Sequence, residues 1–185
     1  MSSTFRVLGI AGSLRKGSYN RALIRAAIEL APPTLAFETA EIGDIPLYDG
    51  DVEAEGFPAP VQELRNRVAS ADALFFAATE YNYSLSGVLK NAIDWVSRPP
   101  SQPFDRKPIA IVGASGGNGG TMRSQYHLRQ VAVMVNMLPL AKPEVFVARA
   151  QDKFDSEGKL TDEAVRKVLG QHLLAFADWI ALVKK

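Results

Sequence analysis

Short β-branched or apolar runs alternate along this chain with longer stretches whose apolar positions recur every three or four residues. The runs predict strands at Phe5–Ile10, Leu35–Ala40, Ala73–Ala78, Ile109–Ala114 and Glu144–Ala148. The periodic stretches predict helices over Asn20–Leu30, Pro60–Ala71, Ser86–Val96, Thr121–Met137 and Thr161–Val183. In the third of these, Val88, Leu89, Ala92, Ile93 and Trp95 share a wide face, so Trp95 reads as packing rather than chemistry. The last helix is expected to start on Thr161 as N-cap, with Asp162 and Glu163 in its first turn.

The strands carry few charges, as they must if helices cover both faces of a parallel sheet. Five strands alternating with five helices fit an α/β, flavodoxin-like doubly wound five-stranded parallel sheet better than a longer dinucleotide fold. No repeat, low-complexity segment or linker divides the chain, and one domain over residues 1–185 is expected.

Composition changes the picture mainly by exclusion. Net charge is +1, from 21 basic and 20 acidic residues, so nothing calls for nucleic acid or an anionic membrane as partner. There is no cysteine, which removes disulfides, thiolate catalysis and sulfur-based zinc sites. The N-terminal segment lacks a signal-peptide pattern and no apolar run is long enough to span a bilayer, so a cytoplasmic setting is expected. His127 and His172 lie on separate predicted helices without a carboxylate at ligand spacing; helix-surface roles and no metal site are expected. Asp44, Asp49, Asp51, Glu53 and Glu55 bracket Pro46 and Gly50 and read as a solvated loop.

In such sheets ligands sit beyond the carboxyl ends of the strands. Three unusual loops follow strand ends: Ala11–Tyr19, Thr79–Leu85 and Ser115–Gly120. In the first, Gly12 and Gly17 have the spacing of a nucleotide P-loop, but Ser18 and Tyr19 replace its lysine and hydroxyl. What remains is Ser13, Ser18 and Asn20 as neutral donors with Arg15 as the charge, ahead of a helix N-terminus, a set suited to a lone phosphate or to an ordinary turn. Tyr81 and Tyr83 in the second loop could wall a flat ring, with Asn82 and backbone N–H groups at its polar edge. The glycines of the third would let backbone approach a ligand closely.

Together these segments resemble the NADPH-dependent FMN reductases, the flavodoxin-like group that includes bacterial quinone, chromate and azo-dye reductases. The resemblance rests on Gly12-Ser-Leu-Arg-Lys-Gly-Ser-Tyr-Asn20, on Glu80-Tyr-Asn-Tyr-Ser84 with Gly87-Val-Leu-Lys-Asn-Ala-Ile-Asp-Trp95, and on Gly113-Ala-Ser-Gly-Gly117 with Arg123-Ser-Gln-Tyr-His-Leu-Arg-Gln130. It implies noncovalent FMN, with Ser13, Arg15, Ser18 and Asn20 at the phosphate and Tyr19 beside them. It further implies that Glu80, Tyr81, Asn82 and Tyr83 border the isoalloxazine while Ser115, Gly116 and Gly117 line its other side. Thr79 and Ser86 stand where many relatives carry proline, which predicts a less rigid second loop.

The activity implied is a ping-pong cycle: NAD(P)H gives a hydride to the flavin and leaves, and a quinone, free flavin, chromate, azo compound or ferric complex takes the two electrons. No side chain is required as obligatory acid or base. A homodimer or homotetramer is implied, with apolar residues near the end of the Thr121–Met137 helix as candidate contacts. Two rivals remain on the residues alone: a flavodoxin-type carrier, disfavoured by the lack of strong negative charge, and a non-enzymatic phospholigand-binding module. A phosphatase on this architecture needs a cysteine nucleophile, which is missing.

Overall fold

The computed structural model describes residues 4–184. In chain order its elements are β1 (Phe5–Ala11), α1 (Tyr19–Leu30), β2 (Leu35–Ala40), α2 (Gly50–Glu55), α3 (Ala59–Ser70) and β3 (Ala73–Ala77). There follow β4 (Glu80–Tyr81), β5 (Ser84–Leu85), α4 (Gly87–Val96), β6 (Pro108–Ala114) and α5 (Met122–Met134). The chain ends with β7 (Leu138–Pro139), β8 (Val145–Val147), a 3-10 turn at Ala150–Asp152 and α6 (Glu163–Val183).

The main sheet is wholly parallel, in the order β2-β1-β3-β6 with a fifth position beyond β6. That fifth position is broken. β7 pairs with Pro108 and Ile109, whereas β8 pairs with the other end of β6, from Val112 to Ala114. The single strand expected at Glu144–Ala148 is therefore only the upper half, because Pro139 and Pro143 lack the N–H groups that a continuous ladder needs. The flavodoxin-like architecture itself is as expected.

Alternation along the buried strands feeds two cores. Phe75, Ala110 and Val112 face α1 and α6, while Leu74, Phe76, Ile109 and Ile111 face α3, α4 and α5. Trp95 packs as predicted, fully buried, with its Nε1 donating to the Pro46 carbonyl at 2.9 Å. No helix among the described residues is long and apolar enough to cross a membrane.

Several boundaries move for identifiable reasons. The N-cap of α6 is Asp162, not Thr161, and its carboxylate accepts from the Val165 N–H at 2.9 Å. Helix α5 stops at Met134, short of Met137. The cause is Asn136, whose left-handed φ of +52° closes a Schellman turn in which Met137 N–H donates to the Ala132 carbonyl at 2.9 Å. Met137 is thereby turned into the core. The acidic stretch read as loop contains α2, started by Asp49, which accepts from the Asp51 N–H at 2.9 Å.

His172 is the largest departure. Rather than lying on a helix surface, it is fully buried on α6, edge-on to Phe75, with Nδ1 donating to the Pro143 carbonyl at 2.6 Å. Burial pushes its pKa down to about 4 from 6.5; the Pro143 carbonyl opposes that shift and nearby Arg129 adds to it. Between those two pH values the unfolded chain takes up a proton that the folded chain refuses, so stability is lost as pH falls through this window. The full effect is about 3 kcal/mol. In urea unfolding, His172→Gln should be less stable than the parent at neutral pH, and the gap should narrow by roughly 2 kcal/mol on acidification to about pH 4.5. A gap independent of pH would show that His172 is not buried neutral.

Candidate functional site

The first loop leaves β1 at Gly12, whose N–H continues the sheet by donating to the Ala77 carbonyl at 3.0 Å. A Cβ at Gly12 would stand 3.0 Å from the Ser86 hydroxyl and 3.2 Å from the Thr79 nitrogen, so the loop passes close to the second. Ser18 caps α1, accepting from the Arg21 N–H at 3.3 Å. The first-turn N–H groups of Tyr19 and Asn20 have no intrahelical acceptor by helix geometry, which makes this end of α1 attractive to an anion. Ser13 and Ser18 are buried at the loop's base, whereas Arg15 is exposed.

Asn20 does something different from what its side chain predicts. Its Nδ2 donates to the Thr79 hydroxyl at 3.1 Å and the Ala114 carbonyl at 3.0 Å, and its Oδ1 accepts from the Ala114 N–H at 2.9 Å. Both amide hydrogens are used inside the protein, so Asn20 offers a ligand its backbone N–H. Thr79 and Ser86, expected to loosen the second loop, tie it down instead. Thr79 receives Asn20, and the Ser86 hydroxyl donates to the Gly12 carbonyl at 2.6 Å.

The second loop is a hairpin of β4 and β5, turning through Asn82 and Tyr83 at φ +49° and +68°. Positive φ at both central residues is the type I′ pattern, natural for asparagine but strained for tyrosine. Such strain is commonly held at functional sites by the surrounding structure. Here Arg123 stacks 3.8 Å over the Tyr83 ring, and the Ser84 hydroxyl lies 3.0 Å from His127 Nδ1. His127 itself is exposed, as expected. Tyr81 and Tyr83 are 52% and 67% exposed, leaving both rings available to a ligand.

Glu80 faces α5. Its carboxylate accepts from the N–H groups of Arg123 and Ser124 at 3.0 and 3.2 Å and from the Arg123 guanidinium at 3.2 Å. The residue preceding α5, Thr121, makes no side-chain cap, so Glu80 caps this helix from 43 residues away. The sequence gives no local sign of that role, nor of Ser124, whose hydroxyl donates to the Thr79 carbonyl at 3.0 Å.

In the third loop the glycines divide by function. A Cβ at Gly113 would overlap Thr121 Oγ1 at 1.9 Å, and one at Gly120 would meet the Phe146 carbonyl carbon at 2.6 Å, so both are demanded by the fold. At Gly116 the nearest atom is the tip of Gln151 at 3.3 Å, and at Gly117 nothing lies nearer than 4.0 Å. Neither is required by its own protein; a missing Cβ there benefits only something that comes against the loop.

The three loops wall one cleft of about 220 Å³, lined by Ser13, Arg15, Ser18, Tyr19 and Asn20, then Thr79, Glu80 and Tyr81, then Ala114, Ser115 and Gly116. Asn82, Tyr83 and Gly117 stand outside this lining, the first two at the hairpin tip. The cleft is smaller than the roughly 300–1,000 Å³ that encloses a drug-sized ligand. It can hold a phosphate and its attached chain while leaving a ring at the surface beside the tyrosines. Among the described residues no group of three or more His, Asp or Glu could hold a metal ion.

The sequence profile described as NADPH-dependent FMN reductase matches residues 5–152. An NAD(P)H-dependent FMN reductase of Pseudomonas aeruginosa is 54% identical over 180 residues, covering 97% of each chain. A quinone reductase of Escherichia coli is 42% identical over 187 residues, covering all of both. Among solved structures, the flavoenzyme NAD(P)H:(acceptor) oxidoreductase FerB of Paracoccus denitrificans superposes with a TM-score of 0.88 at 35% identity, covering 97% of this chain and 98% of the other.

Replacing Glu80 by Ala should remove the cap of α5 and leave Arg123 unpaired. The expected loss is about 1–2 kcal/mol, or a fall of several degrees in melting temperature. Glu80→Gln, which keeps an acceptor, should lose less. Equal melting temperatures for parent and Glu80→Ala would show that the cap contributes nothing.

Proposed function

The chain belongs to the NADPH-dependent FMN reductase family, and from that we propose that it is an oxidoreductase which holds FMN noncovalently in the three-loop cleft and passes two electrons from NAD(P)H to a quinone or similar small acceptor. The observation that carries this reading is the convergence of the three loops on one cleft, with a free helix N-terminus at one end and exposed tyrosines at the other. FMN joins a phosphate to a flat heterocycle through a flexible chain, and the cleft offers a matching sequence of environments. Gly116 and Gly117, which no neighbour requires, fit backbone passing against such a ring.

When bound, FMN supplies a centre that accepts a hydride from one substrate and delivers it to another. The chain's own residues position it. The N–H groups at the start of α1, the Ser13 and Ser18 hydroxyls and the Arg15 guanidinium hold the phosphate. Tyr81 and Tyr83 limit where the ring can lie, and the cation over Tyr83 steadies that hairpin. Glu80, engaged by α5, orients the hairpin instead of exchanging protons. The hydride chemistry that FMN would supply calls for no side-chain nucleophile from this chain.

We also read the apolar end of α5 as a subunit contact. Val133 and Met134 are 81% and 87% exposed, and Tyr126 adds to the apolar surface on the same helix. Light scattering at micromolar concentration should give a multiple of the 20.1 kDa chain mass. A single-chain mass would remove this reading.

Purified protein should carry a flavin spectrum that NADPH or NADH bleaches without oxygen and that a quinone restores. Failure of both nucleotides to bleach it would overturn the reductase reading. Arg15→Ala should weaken FMN binding about tenfold, the scale of one lost charge-assisted contact at a partly solvated site. Gly117→Ala separates ligand from fold: the FMN-free variant should stay within about 0.5 kcal/mol of the parent while its FMN affinity falls. An unchanged FMN affinity in both variants would place the cofactor elsewhere.

A further inference from the structure

Between Gly12 and Ser18 the first loop has few ties of its own. Among the described residues, Ser13, Leu14, Arg15, Lys16 and Gly17 make no backbone–backbone hydrogen bond. One side chain reaches their carbonyls: Arg21 Nε donates to the Ser13 oxygen at 3.0 Å. The same residue holds the far end of the loop through its backbone N–H, which Ser18 Oγ accepts at 3.3 Å. Arg21 thus touches both serines buried at the base of the loop.

Arg21 is not a wall of the cleft. It lines a hollow bounded by β1, β2 and α1, and its terminal nitrogen pairs there with Glu41, the residue after β2. The β1–β2 ladder runs up to the Ile10–Ala40 pair, so Glu41 projects directly from the end of the sheet. With side-chain exposures of 31% and 67%, the Arg21–Glu41 pair adds little to stability. Its consequence is geometric. The nitrogens of a guanidinium share one rigid plane, so pairing a terminal nitrogen with Glu41 restricts where Nε can aim.

That aim matters because a trans peptide points its carbonyl and the next N–H in opposite directions. The Ser13 peptide is trans, and its oxygen is occupied by Arg21. The Leu14 N–H is therefore turned away from Arg21, and among the described residues it has no acceptor in the protein. A free carbonyl at this point could rotate toward an anion and repel it; an engaged one cannot. The hydroxyls are set in the same sense. Ser13 Oγ accepts from the Arg15 N–H at 3.4 Å and Ser18 Oγ from the Arg21 N–H, which leaves each O–H as a donor for an outside acceptor.

We propose that Arg21 is a positioning residue for the phosphate of FMN. Without touching the phosphate, it presets the loop as a set of donors with the Ser13 carbonyl withdrawn, and Glu41 aims it. The proposal rests on the FMN reading for its ligand, and its test uses binding instead of turnover. Flavin-free protein is titrated with FMN and with riboflavin, which lacks the phosphate, and quenching of flavin fluorescence is followed. The parent should prefer FMN, and Arg21→Ala should shrink that preference about tenfold, the scale of one lost hydrogen bond to a charged group. Arg21→Lys should recover only part of the loss, because a single nitrogen replaces the fork that serves Ser13 and Glu41 separately.

Glu41→Ala supplies a test of sign. If Arg21 acted only as a positive charge near the phosphate, removing its carboxylate partner would tighten FMN binding. Positioning predicts the reverse, a weakening of about threefold, in a variant that leaves Arg21 and the loop sequence intact. Tighter FMN binding by Glu41→Ala, full recovery by Arg21→Lys, or equal losses of FMN and riboflavin affinity in Arg21→Ala would overturn the proposal. The two readings fail separately. Protein that binds FMN with an affinity indifferent to Arg21 and Glu41 keeps the cofactor and loses this role. A parent protein that binds neither flavin removes the cofactor reading itself.

Discussion

The side-chain amide of Asn20 is the interaction on which the site's geometry depends. It joins the start of α1 to Thr79, two residues beyond β3, and to the last residue of β6, three points far apart in the chain. Both of its hydrogens and its oxygen are satisfied in a buried setting. A fully paired polar group there is strongly directional, and an alternative packing would leave donors and acceptors stranded. Hydrophobic burial brings the strands together, but it does not specify how the loops beyond them sit. This amide does.

Around that clamp, smaller ties restrict the remaining freedom. The Ser86 hydroxyl holds the first loop to the start of α4, the Ser124 hydroxyl holds the second loop to α5, and Glu80 secures the hairpin to the α5 N-terminus. Gly113 and Gly120 allow backbone and side chains to approach at distances that a Cβ would forbid. The result is a division within each loop. Bases are buried and hydrogen-bonded, while tips such as Tyr83 and Gly117 stay exposed for a ligand. Precision at the base costs little in accessibility at the tip.

Charge is distributed with the same separation. Glu80 lies beside the cleft, yet its carboxylate is spent on the positive end of α5 and on Arg123. Arg21 is held by Glu41, whereas Arg15 projects from the loop as an exposed cation. A phosphate at the start of α1, as proposed, would meet neutral donors and an exposed charge. Binding a dianion through oriented N–H groups needs no desolvated ion pair, which would oppose the gain with its own loss of hydration.

The sequence by itself determined the alternation of strands and helices, the parallel sheet, the two buried faces and the three loops at strand ends, because each follows from local periodicity and turn chemistry. Ser13, Ser18, Tyr81 and Ser115 could be placed at one cleft for the same reason: sheet topology brings successive strand ends together. Only the tertiary structure decided what each polar side chain does there. Nothing near Asn20 announces a partner at Ala114, nothing near Glu80 announces a helix 43 residues on, and nothing in the pattern around His172 marks it as buried against Phe75. Periodicity reports which face a residue occupies. Pairing between side chains distant in sequence depends on distances fixed by packing, and local pattern carries no record of those.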